Sequence, residues 1–171
     1  LLAAPLTVAM SVNVAFILGL VFVPGLWSVV EYLFPLALVA FLAIGVWALA
    51  IMRDFWGRIL ATGGFDCSRN NSFGQLIPAF ALSMVGVGLA APAAMSTQAW
   101  IAGVSYIASS FFIVAAMIVA AVKLVLGLRA MMENGANPQS APSLWIIVPI
   151  MTVIGIALII LIAVASLFGS F

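Results

Sequence analysis

Three apolar stretches of membrane length each carry a proline in their first half, Pro5, Pro78 and Pro149, standing 73 and then 71 residues apart. That spacing marks a repeat. With one further apolar stretch between successive prolines, the unit predicted is a proline-broken helix followed by a continuous helix, giving five spans. A proline inside a helix removes one backbone donor and frees the carbonyl four residues earlier, here Leu1, Gly74 and Trp145. In lipid such a carbonyl needs a partner, so broken helices face protein or a water-filled cavity. The proline spans are the expected pore walls.

The balance of residue types places the chain in a bilayer. Hydrophobic residues make up 67% and charged residues only 5%, far from the roughly 25% charged content of soluble domains, and the mean hydropathy is +1.41. A span needs about 20 apolar residues, which places the five at about 1–21, 29–53, 73–91, 98–128 and 143–168. No linker is long enough to separate domains, so residues 1–171 read as a single transmembrane domain. The first span has no basic segment before it and contains Ser11 and Asn13, unlike a signal peptide. The chain does not start with methionine and is expected to be part of a longer protein.

Charge sets an orientation. Arg53, Arg58 and Arg69 crowd the second loop, Lys123 and Arg129 border the fourth, and the first and third loops hold no Lys or Arg. By the positive-inside rule the basic side is expected to be cytoplasmic. No basic run is dense enough for nucleic acid. Loop residues agree with the boundaries: Pro24-Gly25 makes a turn, Asn70-Asn71-Ser72 and then Ser96 and Thr97 offer caps to the third and fourth spans, and Asn134-Gly135 ends the fourth. Trp27, Trp56, Trp100 and Trp145 fall near span ends, at the depth an amphipathic ring prefers.

Chemistry is sparse. Without histidine, the chain can supply no bis-histidine haem, histidine-ligated metal or Ser-His-Asp triad, and no cofactor or metal is expected. Cys67 is the sole cysteine and reads as an ordinary loop residue. Glu31, Asp54, Asp66 and Glu133 all lie near span ends or in loops. Proton-coupled carriers usually hold an ionisable group at mid-membrane depth, so this distribution favours an uncoupled route and argues against an enzyme.

Inside the spans a few neutral polar side chains remain: Thr7, Ser11 and Asn13 in the first, Ser83 in the third and Thr152 in the fifth. As pore-lining groups they would replace part of an ion's hydration without trapping it by charge. As packing groups they would hydrogen-bond between helices or back to their own helix carbonyls. Both readings stand for each residue. Ala79 with Ser83, Gly86 with Ala90, and Ser105 with Ser109 are pairs four apart that let helices approach closely. Phe16 and Phe80 read as packing residues or as constrictions in a pore.

Three segments resemble a known family. The run Ser72-Phe73-Gly74-Gln75-Leu76-Ile77-Pro78-Ala79 is similar to the fifth helix of the tellurite-resistance/C4-dicarboxylate transporter family, which includes plant slow anion channels and fungal sulfite exporters. Ala141-Pro142-Ser143-Leu144-Trp145-Ile146 with Pro149 resembles the start of its seventh helix. Ile44 to Phe65, with Arg53-Asp54-Phe55-Trp56 and Gly63-Gly64-Phe65, resembles the end of the fourth helix and its loop. The resemblance covers helices three to seven of ten.

It implies five helical hairpins in quasi-fivefold arrangement, with odd, proline-kinked helices lining a central pore, even helices forming an outer ring, and assembly as a homotrimer. The helices of Pro5, Pro78 and Pro149 would be inner and the spans at 29–53 and 98–128 outer. The family's occluding phenylalanine belongs to a ninth helix, beyond this chain. The function expected is a passive channel or facilitator for small anions (C4-dicarboxylate, sulfite, chloride, nitrate or tellurite-related) in a bacterial cytoplasmic membrane. The alternative is a non-conducting scaffold or assembly subunit. The orientation is checked directly: in a Cys67→Ser background, Asn70→Cys is expected to be labelled only from the cytoplasmic side and Thr97→Cys only from outside, and reversed labelling would overturn it.

Overall fold

The computed structural model describes residues 3–62, 73–135 and 138–168 of the 171. Five α-helices follow one another, α1 (Ala3–Phe22), α2 (Val30–Thr62), α3 (Ile77–Met95), α4 (Ala99–Asn134) and α5 (Ile147–Phe168), with 3₁₀ segments at Leu26–Ser28, Phe73–Leu76 and Pro138–Ile146. No strand occurs among the described residues. All five spans are long and apolar enough to cross a membrane, as an all-α polytopic membrane protein requires.

Two helices outrun their expected ends. α2 continues past 53 to Thr62, and α4 past 128 to Asn134. Their 33 and 36 residues correspond to about 50 and 54 Å at 1.5 Å per residue, against roughly 30 Å of hydrocarbon. The last turns therefore stand clear of the bilayer at the basic end, where charged residues suit a helix in water. Arg129 and Glu133 support α4 there through a 2.7 Å ion pair four residues apart.

Two of the three prolines stand where the helix changes type. Pro78 is the second residue of α3 and Pro149 the third of α5, while Pro5 lies in α1, whose described residues begin at Ala3. In a first turn the missing N–H has no intrahelical acceptor to lose. At Pro78 and Pro149 the span is interrupted by a junction between 3₁₀ and α geometry, and the carbonyls of Gly74 and Trp145 belong to the 3₁₀ segments. Leu1 lies outside the described residues, as do Asp66, Cys67, Arg69 and the expected caps Asn70, Asn71 and Ser72. α2 also carries Pro35 and stays helical through it, and Pro92 stands in the last turn of α3. Gly25 and Gly135, at φ of 79° and 74°, take the turn conformations that glycine adopts without strain.

α3 is the hub. Its membrane window is 72% buried, against 11% for α1, and all four other helices pack on it, α4 most extensively. Burial on so many sides is possible because α3 is built largely of Ala, Gly and Ser. Lipid supplies no hydrophobic drive between helices, so association relies on close packing and hydrogen bonds. The Phe41 ring of α2 occupies the space a side chain at Gly88 would take, and Ile113 of α4 does the same at Gly86, where a Cβ would lie 2.6 Å from the isoleucine Cδ1. Gly45 of α2 likewise receives the Phe112 ring of α4. The expected small-residue pairs all face inward: Ala79, Ser83, Gly86, Ala90, Ser105 and Ser109 are buried.

The repeat is visible as register. Asn13 Nδ2 donates to the Met84 carbonyl 71 residues away, and the Phe73 amide donates to Ser143 Oγ 70 residues away. These separations lie within two residues of the proline spacings of 73 and 71, so equivalent positions of successive repeats stand at nearly the same height. α1, α3 and α5 are parallel neighbours in register, with α3 taking both flanking helices. Filling the Gly88 socket tests the packing. Gly88→Val is expected to destabilise the detergent-solubilised protein by about 1–3 kcal/mol through overpacking against Phe41, read as a lowered thermal midpoint. Gly103→Ala, whose new Cβ meets nothing within 4 Å, leaves it unchanged; equal midpoints for all three proteins would refute the socket.

Candidate functional site

The neutral polar side chains singled out as pore candidates divide into two groups. Asn13 and Ser83 are inside the packing. Asn13 uses its amide protons on the Ala9 carbonyl of its own helix at 3.0 Å and the Met84 carbonyl of α3 at 3.1 Å, fastening α1 to the hub. Ser83 is fully buried and donates to the Phe80 carbonyl at 2.9 Å. Thr7, Ser11 and Thr152 are exposed. Thr7 and Ser11 lie one turn apart on the open face of α1.

Each exposed hydroxyl donates to its own helix. Thr7 bonds the Ala3 carbonyl, Ser11 the Thr7 carbonyl and Thr152 the Val148 carbonyl, at 2.9, 2.9 and 2.8 Å. The oxygens therefore present lone pairs outward. To donate to an anion, a hydroxyl must turn away from its carbonyl, exchanging one hydrogen bond for another at a net difference of about 1 kcal/mol. Such groups can solvate an ion weakly and release it.

α3 contributes an apolar edge. Ile77, Phe80, Met84, Val87 and Ala91 are half-buried, and their 3,4,3,4 spacing puts them on a single stripe of the helix. Asn13 of α1 reaches the backbone of this stripe at Met84. Phe16 of α1 and Phe80 both pack against the core. This edge offers neither charge nor a hydrogen-bonding side chain, so it is poorly wetted.

Two charged contacts were not foreseen from sequence. Glu31, in the first turn of α2, accepts from Ser96 Oγ at 2.6 Å and from the Thr97 and Gln98 amides at 3.2 and 3.4 Å. It thereby caps the start of α4 from another helix, beside the expected Ser96, which accepts from the Gln98 amide at 3.2 Å. A carboxylate near the positive end of a helix is favourable, but its partners are 65 to 67 residues away. Lys123, buried on α4, places its ammonium 4.5 Å from the Trp56 ring centre and 5.4 Å from that of Phe55, a cation–π arrangement that joins α4 to α2. Lys123 follows the start of α4 by about 36 Å of helix, at the far edge of the hydrocarbon layer. Among the described residues no cluster of three His, Cys, Asp or Glu side chains could hold a metal ion.

No family model, curated protein or solved structure matches this chain. Its side-chain geometry therefore has to be tested on the chain itself. Asn13→Ala removes the polar tie from α1 to the Met84 carbonyl of α3 and is expected to cost about 0.6–2 kcal/mol, measured by unfolding in detergent. Asn13→Asp would be a misleading variant, because a carboxylate in that half-buried place introduces its own desolvation penalty; unchanged stability of Asn13→Ala would show that packing alone holds α1.

Proposed function

We propose that this chain forms part of the wall of a passive channel or facilitator for small anions, in the tellurite-resistance/C4-dicarboxylate transporter family. The observation that carries the reading is the in-register, parallel placement of α1, α3 and α5, with α3 between two flanking helices and α2 and α4 packed against it. A pore built by rotating one hairpin unit about an axis needs its equivalent helices at equal height. On this reading α1, α3 and α5 are inner helices, and Thr7, Ser11 and Thr152 are the lining groups, with Asn13 and Ser83 setting helix spacing. Pro78 and Pro149 lie in the first turns of α3 and α5, and Pro5 is the matching kink proline of α1. The protein is a homotrimer in a bacterial cytoplasmic membrane, with the basic end inside.

Charge distribution supports a passive mechanism. α1, α3 and α5 contain no charged residue. The charges of α2 and α4 stand in the first turn of α2 or from Arg53 and Lys123 onward, leaving the intervening helix neutral. Ion selection then comes from dehydration cost, pore width and the dipoles of hydroxyls and backbone. Dicarboxylate, sulfite, chloride, nitrate and tellurite-related anions are the substrate classes to compare.

The second reading, a non-conducting scaffold, is favoured by the back-bonded hydroxyls and by the use of Asn13 and Ser83 in packing. Flux separates the two. In proteoliposomes containing the full-length protein, anion movement is expected to follow the membrane potential and the anion gradient, with no uphill uptake driven by a pH gradient alone. In a Cys67→Ser, Ser11→Cys protein, a bulky water-soluble thiol reagent is expected to block that flux. Uphill uptake at zero potential, with weak-acid permeation excluded, would overturn the uncoupled mechanism, and absence of flux for every anion class would favour the scaffold.

A further inference from the structure

α3 and α5 are each entered through a 3₁₀ segment, Phe73–Leu76 and Pro138–Ile146, and neither segment is held firmly by the helix that follows it. Hydrogen bonds in 3₁₀ geometry are poorer than those of an α-helix. Pro78 and Pro149, just inside the α-helices, offer no amide with which to tie those helices back to the residues before them. Pro142 withholds a further donor within the longer segment. Backbone held so weakly by its own ladder depends on its neighbours.

Those neighbours form a chain. Phe73 is buried, and its ring lies against Gly127 of α4, where a Cβ would stand 3.3 and 3.4 Å from two of the ring carbons and meet no other residue within 4 Å. The Phe73 amide begins its segment and so has no intrahelical acceptor. It donates to Ser143 Oγ of the longer segment at 3.1 Å. Among the described residues the longer segment packs on the shorter one and on α5, its own continuation, with no comparable contact to α4. Support therefore passes from α4 through Phe73 to Ser143, and from there to the start of α5. We infer that the two 3₁₀ segments, whose joined residues are 70 apart in sequence, open and close as one unit anchored by the Phe73 ring against Gly127. On the pore reading, which this consequence alone rests on, that unit is the basic-side mouth of α3 and α5, and it moves as a whole.

Hydrogen–deuterium exchange of the full-length protein in detergent tests the coupling without a flux assay, so its outcome is separate from that of the channel reading. Peptides covering 73–80 and 143–150 are followed by mass spectrometry. Gly127→Leu displaces the Phe73 ring and is expected to speed exchange in both peptides by about tenfold or more. Gly127→Ala, for which the ring need give only slightly, is expected to show the same pattern at smaller amplitude, and it supplies the reading if the leucine also loosens the buried middle of α3. Gly103→Leu, at a position with open space, leaves both peptides unchanged. Ser143→Ala cuts the link: it speeds exchange at 143–150 by itself, and adding Gly127→Leu then accelerates 73–80 alone. Acceleration confined to 73–80 in both Gly127 variants would overturn the proposal, as would no acceleration there. Equal acceleration of 143–150 by Gly127→Leu with and without the Ser143 hydroxyl would also overturn it, assigning the coupling to other contacts.

Discussion

Close approach of helices at α3 is the constraint from which the rest of the arrangement follows. A bilayer gives apolar helices no reason to leave lipid for each other, so the bundle depends on contacts that lipid cannot duplicate. Gly86 and Gly88 supply them by receiving Ile113 and Phe41 into space that any larger residue would fill. The Ser109 hydroxyl can consequently reach the Gly86 carbonyl at 2.7 Å, a distance that requires the backbones to lie near one another. With α2 and α4 drawn in on the hub, α1 and α5 take its remaining sides. The position of every other helix is set relative to this surface.

The same packing separates the polar side chains by role. Asn13 and Ser83 are on the packed side and serve the hub, while Thr7, Ser11 and Thr152 remain open. A helix that must be small on several faces has few positions left for hydrogen-bonding groups. α3 accordingly presents an apolar half-buried stripe, and the open hydroxyls belong to its less buried neighbours. Open hydroxyls and the apolar stripe therefore occur on different helices of the same bundle.

Much of the fold was legible because hydrophobic length is a strong signal in a membrane chain. The five spans and the repeat were evident from Pro5, Pro78 and Pro149, and the small-residue pairs pointed to close packing. The helix ends were harder. A reading based on hydropathy ends the second span at Arg53 and the fourth at 128, just before Arg129, although α2 and α4 continue to Thr62 and Asn134. Pro78 and Pro149 marked the interruptions of the third and fifth spans, but their spacing does not say that the break is a junction between 3₁₀ and α geometry. For the polar set, sequence supplied the residues and not their neighbours: Ser83 and Thr152 have similar chemistry, yet one is enclosed by the hub and the other is open. Glu31 and its partners in the turn after α3 are 65 to 67 residues apart, and no local pattern connects them.

Glu31 also bears on the order in which the chain is made. It enters the membrane region with α2, before Ser96, Thr97 and Gln98 have been synthesised, and until they arrive its carboxylate must remain among water and headgroups. Only after α3 has crossed and turned back can those donors reach it. Formation of the contact thus reports completion of the α3–α4 hairpin, and a chain stalled between the two helices would carry a carboxylate with its later partners missing. The turn at Ser96–Gln98 can thus close the side of the bundle opposite the basic residues only once α3 is in place.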